Sequence, residues 1–101
     1  NGHVPFPITV AALKRHRARG GTVILVTNSP RSHLGVERQL LEIGVDPASH
    51  DRIVTSGDVT QVLMKLHGQG GVFHLGAARD RSIYDGTGVT SVPLEEAKAV
   101  L

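Results

Sequence analysis

Residues 22–30 read Thr-Val-Ile-Leu-Val-Thr-Asn-Ser-Pro, and no other stretch constrains the fold as tightly. Thr22 to Val26 is an unbroken run of apolar or β-branched residues. A strand wetted on one side alternates with period two, so a continuous run predicts a buried strand over 22–27, as in a parallel sheet. The run then ends abruptly in three small hydrogen-bonding residues and a turn former. Open α/β sheets bind ligands beyond the carboxyl ends of their strands, so Thr27, Asn28 and Ser29 fall where such a sheet presents its site.

The flanking chain supports that reading. Pro7 suits the first turn of a helix running to about Arg19, with Ile8, Ala12, Leu13 and His16 on one face and Gly20 closing it. Ser29 or Ser32 caps a second helix to about Ile43, whose Val36, Leu40 and Ile43 recur at helical spacing before Gly44. Ile53–Thr55 predicts a short strand. Ser56-Gly57-Asp58 follows as cap and acidic first turn of a third helix, with Val59, Val62, Leu63 and Leu66 before the stop at Gly68. Further strands are expected at 72–75 and 89–92, a short helix at 79–84, and a last helix opening at Pro93. Strands alternating with helices imply βαβ units, hence an α/β fold with a Rossmann-like parallel sheet and flanking helices. At 101 residues the chain reads as one small domain.

Composition narrows the function classes. Aromatic residues make up 3% of the chain, so the core must be aliphatic, and nothing aromatic lies near the basic run Lys14–Arg19 to stack on a base. That run closes a helix, where cations face the negative end of the dipole, so a solvated helix end is favoured over a nucleic-acid patch. The net charge is only +2. No nucleic-acid partner is expected. Cysteine is absent, which excludes disulfides and thiolate metal sites and fits a reducing compartment. No apolar run approaches bilayer length and no secretory-signal pattern opens the sequence, so a cytoplasmic location without membrane association is expected.

Short hydroxyls and an amide after a buried strand suit an oxyanion: a hydroxyl donates, the Asn amide offers two donors, and backbone N–H groups entering a helix add partial positive charge. Turns and helix caps favour the same residue types, so residue identity alone leaves both readings open.

Beyond this, "VILVTNSPR", then "QLLEIGV", "IVTSGD", "VFHLGAARD" and "VPLEEA" resemble the haloacid dehalogenase superfamily, nearest to its subclass IIA phosphatases. The resemblance runs over essentially the whole chain. It implies that Thr27 is the hydroxyl of the family's second motif, binding the transferring phosphoryl group, with Asn28 and Ser29 beside it; subclass IIA members often carry a second Asn where Ser29 stands. It also implies a small phosphorylated substrate, a Mg2+ cofactor and an aspartyl-phosphate intermediate. The nucleophilic Asp should then precede Asn1, and the third-motif Lys and the metal-binding acids should follow Leu101, after a cap. On that expectation the chain is a fragment of a hydrolase core, without its first strand and cap and inactive alone. Neither substrate identity nor oligomeric state is encoded in these motifs.

The remaining polar residues weigh less. Arg31 either reaches an anionic substrate from the Thr27 loop or is simply exposed. Ser56, Gly57 and Asp58 end a strand expected to run parallel to the Thr27 strand and are candidate rim residues, with helix capping favoured for Asp58. Lys65 and Lys98 read as solvated surface, Asp80 and Asp85 as turn residues, and His16 and His74 as core or boundary histidines. No His pair has metal-ligand spacing. The alternatives are a nucleotide-binding module, suggested by Gly68-Gln69-Gly70-Gly71 although these glycines precede a strand rather than open a helix, and a non-catalytic Rossmann-like domain.

Overall fold

The computed structural model describes residues 4–101. Residues 1–3 lie outside the described residues. Helix α1 spans Pro7–Ala18, strand β1 Ile24–Thr27, helix α2 His33–Glu42, strand β2 Arg52–Thr55, helix α3 Ser56–His67, strand β3 Val72–Phe73 and strand β4 Ala99–Val100. Single 3-10 turns lie at Pro47–Ser49 and Leu94–Glu96, and a longer 3-10 segment at Ala78–Tyr84. The fold is α/β, as its sequence pattern predicts.

The helix ends follow local chemistry. Pro7 sits at the start of α1, and the Ser32 hydroxyl caps α2 by accepting the Gly35 N–H at 3.3 Å. Gly44 ends the α2 segment at φ +89°, which a side-chain-bearing residue rarely adopts. At α3 the expectation shifts by one residue. Thr55, not Ser56, is the cap, its Oγ1 accepting the Asp58 N–H at 2.9 Å.

β1 and β2 pair in parallel with Ile24 opposite Arg52 and Thr27 opposite Thr55. Burial along 22–27 corrects the expectation of a strand dry on both faces. Val23 is buried, but Ile24 and Val26 are 55% and 79% exposed, and β2 alternates exposed with buried. Side chains of one parity therefore pack under α2 and α3, and those of the other parity face outward among the described residues. The buried apolar core is small: Val23, Val36, Ile53, Met64 and Val72. Val59, Val62, Leu63 and Leu66, the apolar residues of α3 named from the sequence, are all exposed.

The α1 face also differs from expectation. No α1 residue is buried, and Ile8 is 84% exposed. Polar contacts hold this helix instead. Lys14 pairs with Asp46, and Arg17 donates to the Ala48 carbonyl at 2.8 Å and to Asp51 at 2.7 Å. Asp51 in turn accepts the Val23 N–H at 2.7 Å. That bond, then Arg17, hold its carboxyl below the ordinary value. The basic run is therefore partly a brace joining α1 to the entry of both strands.

The expected single sheet is also corrected. β3 and β4 form a second two-stranded parallel sheet, Val72 opposite Ala99, separate from β1–β2. Residues 89–92 are not a strand; Val72 bridges Ser91 alone there. The last helix expected from Pro93 is one 3-10 turn, after which the chain extends to pair with β3, since Leu101 N–H donates to the Phe73 carbonyl at 3.0 Å. α3 links the two sheets, and its Gln61 side chain donates to the Ile83 and Asp85 carbonyls at 3.0 and 3.3 Å. The radius of gyration is 16.8 Å, against about 13 Å for a compact domain of this length, and the chain is a thin slab.

Candidate functional site

Two strand ends build one polar surface. Because β1 and β2 are parallel and in register, the chain leaves both at the same edge, after Thr27 and after Thr55. The first exit is a tight, self-bonded loop. Thr27 Oγ1 accepts the Ser29 N–H and Ser29 Oγ accepts the Arg31 N–H, each at 3.2 Å. These are successive side-chain-to-backbone turns, the local alternative that Ser and Thr offer a chain leaving a strand. An oxygen that accepts keeps its own proton, so the Thr27 hydroxyl remains a donor. No acceptor for that proton stands within bonding distance among the described residues. Thr27 and Ser29 are half-buried, and Asn28 is exposed in the same loop.

The second exit clamps the first. The Gly57 N–H donates to the Ser29 carbonyl at 3.1 Å. A Cβ at Gly57 would stand 2.3 Å from the Pro30 oxygen and 2.6 Å from the Arg31 oxygen, so only glycine lets α3 approach this closely. Asp58 then reaches across to the start of α2. Its carboxylate accepts the His33 N–H at 3.0 and 3.2 Å, and both oxygens lie 3.1 Å from His33 Nδ1. Partial burial raises the Asp58 pKa, but hydrogen bonds from His33 and Thr55 outweigh it and hold the carboxyl below its ordinary value. Asp58 thus caps the neighbouring helix, while Thr55 caps its own.

The sequence candidates divide accordingly. Thr27, Ser29, Gly57 and Asp58 are joined through the contacts above. Asn28 and Ser56 are exposed at the same edge, and Arg31 is exposed one turn further on, its guanidinium donating to Gln39 at 3.5 Å. His33 and Gln61 enter the site without having been singled out by sequence. The only signal for His33 was its place just after the Ser32 cap. A cavity of about 330 Å³ opens beside the loop, lined by Pro30, His33, Gly57, Asp58, Gln61 and Asp85.

Of the other polar candidates only Asp85 lines that cavity. Lys65 and Lys98 are exposed, Asp80 is 4.0 Å from Arg79, and Asp85 ends the 3-10 segment. His74 stacks edge-on against Tyr84 with centroids 5.7 Å apart, and its Nε2 meets the Ala77 carbonyl at 3.1 Å. Gly71 packs against Val92 and Gly70 against Lys98, so the glycine run serves as a turn. Among the described residues no three His, Cys, Asp or Glu converge on a metal-sized site, and no helix is long and apolar enough to cross a membrane.

The family model described as haloacid dehalogenase-like hydrolase matches residues 1–90. The chain is also similar to a solved structure, a hydrolase of the haloacid dehalogenase-like family from Brucella suis 1330, at 49% identity and a TM-score of 0.87. That match covers 99% of this chain and 36% of the other, so the chain spans about a third of its relative's length. No curated protein matches.

Proposed function

The chain belongs to the haloacid dehalogenase-like hydrolase family, and from that premise we propose that it carries the phosphoryl-binding part of a phosphatase of the subclass IIA type, acting on a small phosphate ester in the cytoplasm. In this reading residues 1–101 belong to a partial hydrolase core. The loop after β1 receives the phosphoryl group. The Thr27 hydroxyl, its oxygen already engaged by the Ser29 N–H, donates its proton to a phosphoryl oxygen. The Asn28 amide adds donors from the exposed side of the loop, and the Ser29 hydroxyl extends the same polar rim. Together they orient the phosphorus and offset charge on its equatorial oxygens.

The nucleophile of this proposal is an Asp carboxylate outside residues 1–101. Its attack forms a carboxylate–phosphorus bond as the ester P–O bond breaks, and the departing alkoxide takes a proton from solvent, which the later hydrolysis returns. Water then cleaves the aspartyl-phosphate, restoring the carboxylate and releasing inorganic phosphate. The proposal includes magnesium dependence, which is general among hydrolases of this family. The described residues do not fit a magnesium site, since no three acidic or imidazole side chains converge, and none of the steps above runs through the metal.

One observation carries the proposal: within the family-matched residues, the Thr27 hydroxyl stands at the carboxyl end of a parallel strand with its proton unclaimed among the described residues. The test is hydrolysis of p-nitrophenyl phosphate by the full-length protein. Thr27→Val is expected to lower kcat/KM by roughly 100-fold, the scale of losing one oxyanion donor, with an unchanged circular dichroism spectrum. Equal kinetics in a well-folded variant would overturn the role.

A further inference from the structure

The loop that carries Thr27 is anchored at both ends to the end of β2. At its start, Thr27 is the register partner of Thr55. At its far end, just past the Ser32 cap, His33 opens α2. The His33 N–H donates to the Asp58 carboxylate, and the Asp58 N–H donates to Thr55 Oγ1 at 2.9 Å. Thr27, the loop, His33, Asp58 and Thr55 therefore close a ring of contacts around residues 28–32. A segment fixed at both ends keeps fewer conformations than one fixed at its start alone.

His33 makes its link to Asp58 twice. Its backbone N–H meets the carboxylate oxygens at 3.0 and 3.2 Å, and its ring Nδ1 lies 3.1 Å from both. The Asp58 carboxyl is held below its ordinary value, so at neutral pH it is ionised and can only accept. Nδ1 therefore carries the proton of the ring contact. The backbone bond alone would let the start of α2 pivot about one point, and the second contact resists that pivot. Nε2 has no hydrogen-bond partner among the described residues. The His33 side chain is 53% exposed, so the pair adds little to global stability and its consequence is local.

We propose that His33 is a positioning residue for the phosphoryl loop: by joining both its ring and its backbone to Asp58, it fixes the far end of the loop and with it the aim of the Thr27 hydroxyl. The proposal rests on the phosphoryl site assigned above. It adds to that site a residue that acts through the loop and touches neither the substrate nor the reacting atoms.

The test replaces His33 by Ala, Asn and Gln in the full-length protein. Asn carries its amide nitrogen near the place of Nδ1, Gln near that of Nε2, and Ala carries neither. With p-nitrophenyl phosphate, His33→Ala is expected to lower kcat roughly tenfold or more at nearly constant KM, within what a misplacement of about 1 Å can cost. His33→Asn should recover most of that loss and His33→Gln should not, a contrast that holds even if the Ala variant fails to fold. A second readout is independent of turnover. Deuterium exchange of the peptide spanning residues 27–33, whose Ser29 and Arg31 N–H groups bond within the loop, should quicken in the Ala and Gln variants and stay native in the Asn variant. Native kcat or native exchange in folded His33→Ala, or recovery by Gln in place of Asn, overturns the positioning role. Exchange in the expected order, in a protein that does not hydrolyse the ester, counts against the phosphatase reading and leaves the loop anchor standing.

Discussion

Thr27 and Thr55 are register partners at the ends of neighbouring parallel strands, and their hydroxyls have opposite fates. Thr55 is 1% exposed and its oxygen is spent on the Asp58 N–H, capping α3. Thr27 is half-buried, and its oxygen shapes a loop while its proton stays available. The sheet thus sets a fully buried structural threonine beside a half-buried one at its rim. Gly57 and Asp58, which follow the structural one, lock the loop that follows the other.

Gly57→Ala tests that lock. The added methyl group would stand 2.3 Å from the Pro30 oxygen, closer than real contacts allow, and the obstacle is backbone. α3 and the Thr27 loop must therefore part. The expected cost is about 1–3 kcal/mol of stability, the range for overpacking, read by chemical denaturation of the full-length protein. The Thr27 hydroxyl moves with the loop, so kcat on p-nitrophenyl phosphate should fall as well. A variant of native stability and rate would show that the strand ends are not coupled.

Acid should loosen the strand entries, where carboxylates of Asp51 and Asp46 brace α1. The Asp51 carboxyl is held below its ordinary 3.8 by the Val23 N–H and Arg17, and Asp46 likewise by Lys14 and the Ala48 N–H. A depressed folded pKa contributes stability that is present above the unfolded value and lost as pH falls through the folded one. Melting temperature should therefore hold steady from neutral pH down to about 5 and drop once pH passes below about 4. Asp51→Asn should lower the neutral-pH melt and flatten that drop. An acid limb of the same steepness in the variant would exclude Asp51 as its source.

Residues 1–101 produced alone should self-associate. The β1 edge away from β2 has no partner strand among the described residues, and Ile24, Val26 and Val54 are 55%, 79% and 40% exposed. An unpaired edge beside an apolar face is a template for further pairing. Val26→Lys should reduce the association seen by light scattering, since a charge there tolerates water and repels a second copy. Monomeric behaviour of the unmodified segment would contradict this.

Much of the site was legible because strand-end chemistry is local. Thr27 and Ser29 bond within two residues of themselves, and the Ser32 cap, the Gly44 stop and the parallel pairing all follow from short-range pattern. What failed was long-range. The apolar run at 22–26 announces a strand but not which faces are covered, and cover depends on packing that no run of residues encodes. The α1 face was misread for the same reason: its helix is fixed by Arg17 reaching Asp51, a partner 34 residues away. His33 as the donor to Asp58, 25 residues on, was equally invisible. The last segment shows the reverse. Pro93-Leu94-Glu95-Glu96 is a sound helix start, yet pairing with β3 wins and extends the chain.

The separateness of the two sheets orders events on the ribosome. β1 finds its partner once residue 55 has left the exit tunnel, whereas β3 must wait for residues 99 and 100. All the partners that fasten the Thr27 loop, Gly57 and Asp58 among them, are thus present in the chain before β3 has a strand to pair with.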